Sequence, residues 1–140
     1  MSVLGRLLRR TRRAPVKLRD DGSLHRIGGS TDPARADSEV VAQIASEGKD
    51  LTQPVLLVHL LRLPDELALT EAAQLVAQEG YALVATEDEG GGFTVRASRT
   101  QLLTGLSAAQ ERSRMAGLAQ RLGGDVDGWE ALAPVAAPRP

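Results

Sequence analysis

Val55-Leu56-Leu57-Val58-His59-Leu60-Leu61 is the stretch that most narrows what this chain can become. Its seven nearly apolar residues are too few to span a bilayer and match a strand buried on both faces. Leu63-Pro64-Asp65 ends it, because proline cannot donate to the middle of a sheet ladder. A helical pattern follows over Glu66–Glu79, with Asp65 as N-cap and Leu69, Ala72, Ala73 and Val76 as one apolar stripe. Gly80 closes it in a left-handed conformation. Two alternating segments, Tyr81–Thr86 and Phe93–Ser98, flank the hairpin loop Glu87-Asp88-Glu89-Gly90-Gly91-Gly92.

The flanking chain extends this unit. Asp37–Glu47 reads as a short helix capped by Asp37 or Ser38, with Val40, Val41 and Ile44 inward and Gly48 as its stop. Ser107 to Gln110 has capping-box spacing and opens a long helix with Ala108, Met115, Leu118, Ala119 and Leu122 inward. Gly123-Gly124 ends it, and Asp125–Glu130 reads as a short final edge strand. The order strand, helix, strand, strand, helix, strand predicts an α+β fold. It is the ferredoxin-like split β-α-β two-layer sandwich, with a four-stranded antiparallel sheet, two helices on one face, and a short N-terminal helix in front. The first and third strands are then central.

Length bounds the chain to one domain with extensions: a basic N-terminal extension over 1–36, the patterned domain over 37–132 and a proline-rich tail over 133–140. Cysteine is absent, which excludes a disulfide framework and thiolate metal sites. No segment approaches a transmembrane span and the N-terminus lacks the apolar centre of a secretory signal, so a cytoplasmic protein is expected. Net charge is −1, but residues 1–26 carry eight Lys or Arg against Asp20 and Asp21, a net of +6 that leaves −7 on the rest. Two uses of this head stay open: a phosphate-binding arm for RNA or an anionic surface, and a solvated tail.

Catalytic and cofactor chemistry finds little purchase. A calcium loop starting at Asp125 would place Trp129 and Ala136 where oxygen ligands are required. Gly90-Gly91-Gly92 follows three acids that would repel a phosphate. His25 stands alone, without ligands at metal spacing. If Leu56, Val58 and Leu60 face the helices, His59 points to the open sheet face, near Arg96. A closed pocket between His59 and Arg96 would support a small-ligand domain. No catalytic residue, cofactor or metal is expected.

Several pieces together resemble one bacterial family. Asp50-Leu51-Thr52-Gln53-Pro54 precedes the first strand, Leu63-Pro64-Asp65-Glu66 opens the first long helix, and Gly80-Tyr81 leads into the next strand. Gly123-Gly124-Asp125-Val126-Asp127-Gly128-Trp129-Glu130 is similar to the Gly-Gly-x-Tyr-Asp-Gly-Trp-Glu signature of the regulator of ribonuclease activity B family. The resemblance covers about Asp37–Leu132. It departs from the family in two places: Leu56–Leu61 has none of the usual aromatics, and Val126 stands where the family often has Tyr. It implies a non-enzymatic, ferredoxin-like protein that binds and inhibits ribonuclease E. From Leu51 to Leu132 the chain has 6 Lys or Arg against 11 Asp or Glu, a surface suited to a basic nuclease. The candidate contacts are Glu87, Asp88, Glu89, Asp125, Asp127, Trp129 and Glu130. Direct RNA binding through residues 1–26 is the alternative.

Overall fold

A computed structural model describes residues 17–135. The basic residues before Lys17 and the tail after Val135 lie outside it. The elements are β1 (His25–Ser30), α1 (Asp37–Ser46), β2 (Val55–Leu63), α2 (Glu66–Ala77), β3 (Ala82–Glu87), β4 (Phe93–Gln101), α3 (Gly105–Arg121) and β5 (Asp125–Ala133). The strands form one antiparallel sheet in the order β1-β5-β2-β4-β3. As expected, β2 and β4 are adjacent and internal.

Two expectations are corrected here. The sheet has five strands, because His25–Ser30, expected within a linker, pairs with β5. With β1 outside it, β5 is a nine-residue internal strand, not a short edge.

The three helices cover one sheet face. Leu61 and Leu63 of β2 pack with Ala68, Ala72 and Val76 of α2 and Met115 and Leu118 of α3. Val55 and Leu57 pack with Val40, Val41 and Ile44 of α1 and Ala108 of α3. On the other face Leu56, Val58 and Leu132 are buried beneath Leu18 and Leu24. The chain before β1 therefore covers that face. Leu18 N donates to Thr100 Oγ1 at 2.9 Å, and Arg96 grips Asp20 with Nε and Nη2 at 2.7 and 3.2 Å.

Local chemistry sets the helix ends. Asp65 accepts from Ala68 N at 2.8 Å as the N-cap of α2. The capping box of α3 lies three residues earlier than the sequence spacing suggested. Thr104 accepts from Ser107 N and Ser107 Oγ accepts from Thr104 N, both at 2.9 Å. Thr104→Ala should cost about 1 kcal/mol, read as a lower urea midpoint with unchanged slope. At the far end Gly123 has φ +78°, and Gly124 N reaches back to Ala119 O at 2.8 Å.

Candidate protein-binding surface

Strand register gathers most of the acidic candidates at one end of the sheet. Arg62 pairs with Thr94 on one side and Asp125 on the other, and Thr94 pairs with Thr86. The Glu87-Asp88-Glu89 turn, Asp125 and Asp127 therefore lie at the same end. Glu87, Glu89 and Asp125 are exposed. Asp88 is partly committed to its own loop, where its Oδ1 accepts from Thr94 Oγ1 at 2.8 Å. Asp127 is the extra residue where the β2–β5 register shifts, and it accepts from Arg62 Nε at 2.7 Å. That bond holds the Arg62 pKa above its ordinary value.

The other two candidates sit elsewhere. Trp129 is 1% exposed and offers no ring to a partner; this corrects its reading as a contact. It faces the helices among Ile27, Val40, Val41 and Ile44. Its Nε1 donates to Asp37 Oδ1 at 3.0 Å, and Arg112 Nη1 donates to the same oxygen at 3.0 Å. Asp37 was expected as a helix cap. Ala36 holds the cap position instead, with no side-chain bond, and the Asp37 carboxylate is buried against the tryptophan. Glu130 lies on the opposite face, bridging Arg96 at 2.6 Å and Arg26 at 3.3 Å.

His59 is also corrected. It faces the helices, is fully buried, and is separated from Arg96 by the sheet. Both faces of β2 are apolar and covered, so alternation alone could not assign its direction. On opposite faces of the sheet, His59 and Arg96 do not line one pocket, and the small-ligand reading loses its geometry.

A polar cluster that sequence reasoning missed lies beside His59. Tyr81 donates its hydroxyl to the buried Glu111, which also accepts from Arg99 Nη2 at 2.9 Å. The Arg99 guanidinium sits 4.5 Å from the Tyr81 ring centroid. Burial, followed by the bond to Glu111, pushes the Tyr81 pKa up. Tyr81, Glu111 and Arg99 pair with one another, while His59 beside them stays without a partner among the described residues. The cluster locks α3 to the sheet.

The glycine signature now has a physical meaning. Gly123 ends α3, and Asp127 makes the bulge. Gly128 sits against the Ser30 carbonyl of β1, where no Cβ would fit. Trp129 fills the helix-side core and Glu130 anchors the covering segment through Arg96. Among the described residues no helix is long and apolar enough to cross a membrane. A comparison with curated proteins finds no match. Residues 34–131 match the family described as Regulator of ribonuclease activity B. This span takes in every element from α1 to β4 and α3, together with nearly all of β5. The chain belongs to the regulator of ribonuclease activity B family, and its role is in the regulation of a ribonuclease.

Proposed function

We propose that this protein is a non-catalytic inhibitor of a ribonuclease E-type endoribonuclease. It acts in the cytoplasm by protein contact and so modulates RNA turnover. On this reading the β2–β5 unit is a ferredoxin-like core, extended by β1. Family membership carries the proposal. The gathering of Glu87, Asp88, Glu89, Asp125 and Asp127 at one end supports a competitive mode, in which acids occupy a basic nuclease surface that would otherwise hold RNA.

The test is cleavage of a fluorescent RNA by ribonuclease E, with and without the protein, at low and moderate salt. Inhibition should weaken as salt rises, and the protein alone should not bind the RNA. Glu87→Gln with Asp125→Asn removes two exposed charges without touching Asp88 or Asp127. It should weaken inhibition by roughly fivefold to tenfold, or about 1–1.4 kcal/mol. Salt-independent inhibition would sink the acidic end as its source. RNA binding that is lost on deleting residues 1–16, a change that keeps the covering segment with Leu18, Asp20 and Leu24 in place, would favour the basic head instead.

A further inference from the structure

The two edges of the sheet are built differently. β1 is interrupted by a register shift between Arg26 and Gly28, and α1 packs beside it. β3, which α2 contacts from one face, has no such shift. It pairs with β4 in unbroken register from Ala82↔Ser98 to Glu87↔Phe93. It contains no Lys, Pro or bulge, and only Leu83 of its six residues is even half-buried. Among the described residues no strand pairs with its other side. Such an edge presents unpaired backbone groups to any extended chain.

Charge identifies the occupant. From Leu63 to Val95 there are seven acids and no Lys or Arg. That stretch forms α2, β3 and the start of β4. It also exposes three apolar side chains: Leu67 at 71%, Val84 at 47% and Leu75 at 42%. A second copy pairing edge to edge would bring two such acidic stretches together, which like-charge repulsion opposes. A basic extended segment meets no such cost.

We infer that β3 is a docking edge that takes an extended, basic segment of a partner protein as a sixth strand, with Glu87 and Glu89 drawing its cations to one end. This deepens the proposed function by naming the surface, and it rests on that reading only for the partner's identity.

The test uses the full chain and a capped peptide of alternating Arg and Val long enough to span β3. Amide exchange is followed residue by residue. At saturation, exchange of the outward amides within Ala82–Glu87 should slow by roughly tenfold or more. Val84→Lys with Thr86→Lys should abolish this. Leu102→Lys with Leu106→Lys makes the same charge change at exposed leucines outside β3 and its ladder and should leave it intact.

Protection elsewhere, or none, overturns the proposal. So does protection already present without peptide, whether in a dimer or lost on deleting residues 1–16; the occupant is then a second copy or the chain's own basic head. In the nuclease assay the β3 pair should weaken inhibition tenfold or more and the control pair should not. Full inhibition by the β3 pair also overturns the edge. If the wild type binds the peptide at β3 but leaves ribonuclease E uninhibited, the edge stands and the proposed function falls.

Discussion

Trp129→Ala should bring the domain close to unfolding. The indole is the largest fully buried side chain and lies between β5 and α1, against Ile27, Val41, Ile44 and Leu57. Truncating a buried tryptophan costs about 3–5 kcal/mol, out of a total stability of about 5–15 kcal/mol for a domain of this kind. The substitution also strips a donor from the buried Asp37 carboxylate, leaving Arg112 as its side-chain donor among the described residues. Trp129→Phe separates the two effects. It keeps most of the packing and loses the N–H, at about 2 kcal/mol for a bond to a buried charge. Because Trp129 is the only tryptophan, unfolding must be followed by far-ultraviolet circular dichroism. A loss below about 1 kcal/mol in Trp129→Ala would contradict its place in the core. Lost inhibition in this variant would report folding, so the binding surface has to be mapped with Glu87, Asp125 and the β3 residues.

Most elements were legible because their periods and stops are local. The run from Val55, the stripe of α2 and the stops at Gly80 and Gly123 depend on neighbours within a few residues. The misses depend on distant ones. Gly28-Gly29 reads as linker. In the folded chain, however, a Cβ at Gly29 would strike the Trp129 carbonyl, so the glycine serves a strand pressed against β5. Once β1 exists, β5 cannot be an edge.

Glu111 was missed although its position carried a signal. Ala108, Glu111, Met115 and Leu118 alternate by three and four, so a charge stood on the buried stripe and required partners. It found them in Tyr81 and Arg99. The acids of the candidate surface were visible as charges, but their assembly at one end follows from strand register. That depends on the bulge at Asp127 and cannot be counted from sequence.

Acidification should destabilise the protein through His59, and His59→Leu should remove that sensitivity. The imidazole is enclosed by the sheet and α3, and neither ring nitrogen has a hydrogen-bond partner among the described residues. Burial lowers its pKa from 6.5 to about 4, against the opposing pull of Glu111 and with Arg99 adding to the depression. The native state therefore refuses a proton that the unfolded chain accepts. The sign follows: stability is complete above pH 6.5, falls as pH drops, and levels off below about 4. The full loss is about 3 kcal/mol, of which about 2 kcal/mol falls between pH 7 and pH 5. Urea unfolding of both proteins at these two pH values isolates the effect, because the carboxylates common to both cancel in the difference. His59→Leu, which also removes two unpaired buried nitrogens, should be at least as stable as the wild type at pH 7. Equal losses in the two proteins would mean that His59 can take up its proton in the folded state, which requires a route for the ring to reach Glu111 or solvent.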